Sequence, residues 1–228
     1  MNNTPDKDTP EFSLVLASIV HDLKNGLSLL SNQFERYLVN NPPVNEECSN
    51  DAKLMTFELT RLNAGLVQLL GLYKLDQKQL SLHRSMIQLI EMFEDLEASH
   101  ELLLERRNVK LTIEVDEMLS WYMDGNLIAS VLNNIVTNAI RYTETQLHIT
   151  VEVKDSLIIT IADDGTGFPD AMLGSESPVL DNDLKTGSTQ LGLYFARAII
   201  SMHGGSISLS NGTPLKGGCV QIELLNSH

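Results

Sequence analysis

Basic residues are scarce in this chain. Only 16 Lys and Arg stand against 30 Asp and Glu, a formal charge of −14 over 228 residues. Such a surface argues against a nucleic-acid interface, whose affinity would rest on basic groups facing phosphates. It also disfavours direct contact with an anionic membrane. Cysteine is nearly absent. Cys48 and Cys219 lie far apart with no CxxC spacing, which argues against a disulfide framework or zinc site and suits two reduced thiols in a cytoplasmic protein. No apolar run approaches the roughly 20 residues that cross a bilayer. The N-terminus, Met-Asn-Asn-Thr-Pro-Asp-Lys-Asp-Thr-Pro, lacks the apolar stretch of a signal peptide and reads as a disordered leader over residues 1–10. Internal repeats and low-complexity tracts are missing too. What remains is an ordinary apolar content of 43%, enough for a core in one large domain or two small ones.

The first third of the chain has one period. Apolar residues fall at Leu16, Val20, Leu23, Leu27, Leu30 and Phe34, spaced alternately four and three, which predicts a heptad helix. Asn40-Asn41-Pro42-Pro43 ends it, since proline cannot continue a helix. A second seam runs through Cys48, Ala52, Met55, Leu59, Leu62, Leu66, Leu69 and Tyr73. Two such helices on a short loop make an antiparallel hairpin. One hairpin buries too little by itself, so two are expected to pair about a two-fold axis as a homodimeric four-helix bundle.

The heptads stop in the polar stretch from Leu75 to Leu82, which places the boundary between residues 11–76 and a second domain, 77–228. The pattern then mixes. Ser85 to Arg107 reads as a helix with Ser85 as cap, Val109–Val115 as a strand, and Asp124 to Arg141 as a helix. Leu147–Val153 and Leu157–Ala162 read as paired strands, Gly165–Gln190 as a loop, and Leu191–His203 as a helix. Ser206–Ser210 and Cys219–Leu224 are closing strands. The fold class expected is therefore α+β: the hairpin, then an α/β sandwich with helices on one face of a sheet.

Two constellations carry chemistry. His21 lies in Ser-Ile-Val-His-Asp-Leu-Lys-Asn, next to the seam residue Val20, at the edge of the buried stripe where it reaches solvent. Asp22 puts an acid beside the imidazole, and Asn25 lies one turn on, on the same face. The second constellation comprises Asn134-Ile-Val-Thr-Asn138-Ala-Ile-Arg141-Tyr142-Thr143, Asp163-Asp-Gly165-Thr-Gly167 and Leu191-Gly192-Leu193. It supplies groups suited to a nucleotide, its metal and its phosphates. Together the two point to phosphoryl transfer from ATP to a histidine. The other histidines (His83, His100, His148, His203 and His228) have no acids at catalytic spacing and read as structural or exposed.

These motifs, in this order, resemble the catalytic core of a bacterial two-component sensor histidine kinase, from about Phe12 to Leu225. Such a core is a phosphoacceptor and dimerisation hairpin followed by a Bergerat-type ATP-binding domain. The resemblance implies that His21 takes the γ-phosphoryl group on an imidazole nitrogen and that Asp22 orients the ring and withdraws a proton. It implies that Asn25 positions water in the reverse reaction, on the phospho-aspartate of a response regulator. Asn138 matches the asparagine that offers a hard oxygen to Mg²⁺. Arg141 is placed for phosphate, Tyr142 for the sugar or base, and Asp163 for the adenine amino group. Gly165 and Gly167 allow close approach and positive φ. At position 134 the related gyrase-like, mismatch-repair and chaperone ATPases, and anti-sigma serine kinases, commonly carry glutamate, which in the ATPases activates water; Asn134 leaves no such base. The implied cofactors are ATP and Mg²⁺. The implied partners are a second copy, a response regulator receiver domain, and a separate sensor protein or a sensor domain preceding Met1.

Some positions depart from the family. Ser188 and Gln190 stand where the last glycine box has glycines that bring N–H groups to phosphates at a helix N-terminus. Gly26 replaces the usual proline, and Cys219 sits where Thr or Ser is common. Two alternatives therefore stay open. One is a histidine phosphotransferase with a weak or vestigial ATP domain. The other is a scaffold that sequesters a response regulator without catalysis.

Overall fold

The computed structural model describes residues 12–76, 80–173 and 189–226. The expected leader, residues 1–10, lies outside them, as does most of the 165–190 loop. The chain divides into two compact units at Leu80–Ser81.

The first unit is two long helices, α1 (Phe12–Asn40) and α2 (Glu46–Asp76), packed along one another. Their short connection, 41–45, enforces an antiparallel pair. Asn41 closes α1 by donating its backbone N–H to the Tyr37 carbonyl at 2.8 Å, and Pro42 and Pro43 prevent continuation. Asn45 starts α2: its side-chain oxygen accepts the Cys48 N–H at 2.8 Å, as an N-cap does. Glu46 and Glu47 then face the positive end of the helix dipole and Lys74 the negative end.

Each heptad seam splits into two rows. In α1, Val20 is buried and Leu27 and Phe34 are half-buried, whereas Leu23 and Leu30 are 55% and 51% exposed. In α2, Ala52 is buried and Leu59, Leu66 and Tyr73 are half-buried, whereas Met55 and Leu62 are 56% and 49% exposed. One row of each seam closes the hairpin and the other faces outward, except at Leu69, which is half-buried.

The second unit opens on a small antiparallel pair, β1 (Ser85–Gln88) with β3 (Ser120–Met123). Both strands are absent from the sequence reading, which starts a helix at Ser85. Leu89 is the first helical residue of α3 (Leu89–Arg107), and Ser85 is no cap. The physical reason is tertiary: Ile87 pairs with Trp121, and burial of Trp121 and Met123 holds the segment extended. Gln88, at the cap position, instead accepts the Ser120 hydroxyl at 2.7 Å. Asn108 ends α3 in the left-handed conformation, φ 53°.

A five-stranded sheet follows, in the order β2 (Lys110–Glu114), β4 (Gln146–Val153), β5 (Ser156–Asp163), β7 (Gly218–Leu225), β6 (Ser206–Asn211). β2 and β4 are parallel because α4 (Gly125–Tyr142) crosses between them; the other pairs are antiparallel. Leu147, Ile149, Leu157, Ile159, Ile161, Ile222 and Leu224 form one apolar sheet face. Ile128, Leu132, Ile135 and Ile140 of α4 and Phe195, Ile199 and Ile200 of α5 (Thr189–Met202) complete the core. Thr150, Thr160 and Gln221 lie on the opposite, more exposed face. The helices thus cover one face, as expected of the α/β sandwich. α5 begins at Thr189, so Gln190 is helical and does not belong to the loop.

Gly26 sits within α1 with no break in the helix, and a Cβ there would meet nothing within 4 Å. Gly26→Ala is expected to stabilise the hairpin by about 0.5–1 kcal/mol, read as a raised urea midpoint at unchanged slope.

Candidate functional site

The imidazole of His21 stands out from α1, its side chain 62% exposed. Two neighbours address the same ring nitrogen. The Asn25 side-chain nitrogen lies 3.2 Å from Nδ1, and an Asp22 carboxylate oxygen lies 3.6 Å from it. Among the described residues Nε2 has no hydrogen-bond partner. Helical spacing causes this: Asn25 is one turn on, and Asp22 is the next residue.

The other candidate residues gather in the second unit around the C-terminal half of α4, the end of β5 and the start of α5. Asn138 donates its side-chain N–H to the Asn134 side-chain oxygen at 3.2 Å. Its amide nitrogen is thereby engaged, and its carbonyl oxygen is the end left for a hard cation. Gly192 is buried against Asn134: a Cβ at 192 would stand 2.4–2.8 Å from the Asn134 amide atoms. This glycine lets α5 approach α4. The Leu191 side chain and Ser188 lie outside the described residues. Tyr142 is half exposed at the end of α4, and Arg141 is half-buried.

Asp163 ends β5 and is 7% exposed. One carboxylate oxygen accepts the N–H groups of Gly165 at 2.8 Å and Gly218 at 3.1 Å. Burial pushes its carboxyl up, those two hydrogen bonds oppose the shift, and the Asp164 charge adds to it. The surrounding loop approaches so closely that side chains are excluded. A Cβ at Gly165 would collide with the Tyr142 carbonyl, and one at Gly217 with Asp163 itself. Gly167 adopts φ +77°, as its place in the motif requires.

Sequence reasoning missed four contributors here. Asp164 receives the backbone N–H groups of Glu144 and Thr145 and the Thr145 hydroxyl, tying the end of α4 to β5. Gly217 and Gly218, read only as a turn, form the wall against Asp163. Asn211 clasps Phe168 both ways, accepting its N–H at 2.8 Å and donating to its carbonyl at 2.9 Å. The one available signal was the Asp163-Asp164 doublet; the rest needs the β6–β7 register. Among the described residues no cluster of three or more His, Cys, Asp or Glu could hold a metal, so any cation here depends on oxygens brought by a ligand. No described helix is long and apolar enough to cross a membrane.

Residues 123–227 match the family of histidine kinase-, DNA gyrase B- and HSP90-like ATPases. The matched segment is an ATPase domain of that broad family, which takes in kinase, gyrase and chaperone members alike. The sensor histidine kinase CssS of Bacillus subtilis is 30% identical over 208 residues, covering 90% of this chain and 45% of that protein. The catalytic domain of histidine kinase ThkA superposes with a TM-score of 0.55 at 27% identity, over 62% of this chain and 97% of that one. The Acinetobacter baumannii histidine kinase AdeS has a TM-score of 0.61 at 22% identity and shares the fold over 91% of this chain and 98% of its own. The whole chain is thus consistent with a histidine kinase catalytic core. It spans between about a third and a half of the length of the curated relatives it matches.

Two outcomes follow from the geometry of the ATPase domain. Gly192→Ala drives a methyl into Asn134 and is expected to cost about 1–3 kcal/mol. Gly192→Ala combined with Asn134→Ala should recover most of that loss, so denaturant titration of the double-mutant cycle must show strong coupling. For Asp164, burial raises the carboxyl, but the Thr145 hydroxyl and the neighbouring backbone N–H groups outweigh it and pull it from 3.8 down to about 2. The folded value lies below the unfolded one, so this stability is present above about pH 4 and lost as pH falls towards 2. Asp164→Asn should flatten the acid limb of the melting-temperature profile over that window.

Proposed function

We propose that this chain is an ATP-dependent histidine autokinase that phosphorylates His21 and passes the group to an aspartate of a response regulator. The observation that carries the reading is the pairing of a nucleotide site lacking a water-activating acid with an exposed imidazole on the same chain. At position 134 an amide oxygen, engaged by Asn138, stands where the hydrolytic relatives place glutamate. A γ-phosphoryl held there has no base to deliver water to it and is kept for another acceptor.

The roles follow the geometry. Asp163, with one oxygen held by two N–H groups, presents its carboxylate to the adenine amino group. The backbone at Gly165 and Gly167 leaves room for the nucleotide, Tyr142 packs against the sugar or base, and Arg141 meets phosphate. Leu191 and Gly192 bring α5 to the phosphates. Asn138 would hold Mg²⁺ through its oxygen, the free end of an oriented amide, with phosphate and water oxygens as the remaining hard ligands. When bound, the ion neutralises phosphate charge. At His21 Nε2 attacks phosphorus, while Asp22 receives the proton lost from Nδ1. Asn25 serves the reverse reaction by positioning water against the phospho-aspartate of the regulator.

The outward rows of the hairpin support a homodimer. Leu23, Leu30, Met55 and Leu62 expose apolar surface that a second hairpin would cover, giving a four-helix bundle. The remaining partners proposed are a receiver domain and a sensor, either separate or on the same polypeptide, in the cytoplasm. A second reading, a phosphotransferase charged by a phosphorylated receiver, is favoured only by Gln190, which stands in the first turn of α5 where the family has glycine.

Incubation with γ-labelled ATP and Mg²⁺ tests the reading. Acid-labile label is expected on the wild type and on neither His21→Ala nor Asn138→Ala. An unlabelled wild type that accepts phosphoryl from a phosphorylated receiver would establish the phosphotransferase instead. Leu30→Lys should convert the dimer to monomer in analytical ultracentrifugation; an unchanged mass would remove the bundle from the proposal.

A further inference from the structure

We propose that Asn25 holds the proton of neutral His21 on Nε2 and thereby restrains autophosphorylation. Asn25 and Asp22 flank one ring nitrogen, Nδ1: the Asn25 amide nitrogen is within hydrogen-bond distance at 3.2 Å, the Asp22 carboxylate at 3.6 Å is not, and hydrogen bonds to the two would demand opposite protonation states. An amide nitrogen carries donors and no usable lone pair, so its contact with Nδ1 requires Nδ1 to accept. A neutral imidazole that accepts at Nδ1 bears its hydrogen on Nε2. The Asp22 carboxylate only accepts, so a hydrogen bond closed from its 3.6 Å position would require the hydrogen on Nδ1 and free the Nε2 lone pair.

Nε2 is the nitrogen left without a neighbour on this exposed side chain, since both helix neighbours address Nδ1. With Asn25 engaged, Nε2 carries hydrogen and has no lone pair in the ring plane for phosphorus. With Asp22 engaged, the Nε2 lone pair forms the N–P bond as the bond from γ-phosphorus to the bridging oxygen breaks and ADP leaves. The Nδ1 hydrogen then passes to Asp22 as a proton. Asn25 touches no reacting atom in this step. It is a positioning residue for the forward reaction. This inference rests on the proposed kinase reading for its consequence, though not for the tautomer itself.

The experiment is nitrogen-15 NMR of the imidazoles in the full chain without nucleotide, with His21 assigned by its loss in His21→Ala. It is paired with initial rates of labelling from γ-labelled ATP and Mg²⁺. The wild type is expected to be mainly the Nε2–H tautomer. Asn25→Ala should shift the ratio about two- to tenfold toward Nδ1–H, the weight of one exposed hydrogen bond. Asn25→Asp, the same shape with acceptors only, should shift it at least as far. The labelling rate should rise by the same factor in both variants. A ratio that is already Nδ1–H in the wild type, or that neither variant moves, overturns the proposal whatever the label does. A shifted ratio with unchanged or slower labelling overturns the restraint on the forward reaction. A shifted ratio with no label on any protein confirms the tautomer control and removes the kinase reading instead.

Discussion

The second unit depends on a buried carboxylate. Asp163 lies at the end of β5, nearly out of solvent, where an ionised group loses hydration that the interior does not replace. The N–H groups of Gly165 and Gly218 replace part of it, and charge-assisted bonds of this kind are stronger than neutral ones. The requirement propagates outward. For Gly218 to donate, the β6–β7 turn must close over the end of β5, and only glycine at 217 passes Asp163 without collision. For Gly165 to donate, its backbone must lie against the Tyr142 carbonyl, which fixes the end of α4. One carboxylate thus locates three segments distant in sequence, and they surround the proposed base site.

The hairpin obeys a different constraint. A heptad places apolar residues at two positions per repeat, and in this hairpin mainly one row of each helix packs against the other helix. The other rows remain exposed at Leu23, Leu30, Met55 and Leu62. In the ATPase domain the sheet presents its apolar face to the helices, and the demand for burial is met inside the fold. The same chain therefore contains one unit with a core closed between sheet and helices and one whose apolar rows are left exposed along a whole helix pair. That difference places the expected symmetry axis on the hairpin.

Much of this was legible in the sequence, and the reason differs from element to element. The long helices α1, α2 and α4 announced themselves because periodicity accumulates over many turns. The β4–β5 hairpin was readable from alternation bounded by polar residues. β1 and β3 were not, since each is only four residues long and its conformation is imposed by the burial of Trp121 and Met123. At the site, Asn134, Asn138, Asp163, Gly165 and Gly167 could be picked out because fixed spacing on a helix or after a strand brings them together. Asn211, Gly217 and Gly218 reach the same place only through the β5–β7–β6 register, which no local pattern encodes. Gly192 was picked out as a nucleotide-site residue, and the structure adds a packing role that the sequence did not reveal: it makes room for Asn134.

Asn134 shows how far structure alone constrains chemistry. Its side-chain oxygen accepts from Asn138, and its amide lies against Gly192. A carboxylate of the same shape would accept that bond equally well and fill the same space. The fold therefore gives no reason for an amide over an acid at this position. The difference is chemical: the acid would add a proton acceptor beside the nucleotide, while the amide orients Asn138 and accepts no proton at neutral pH. On the proposed reading, neutrality at 134 would spare a γ-phosphoryl group from water, which has value only if an acceptor is supplied from elsewhere on the chain or on its partner.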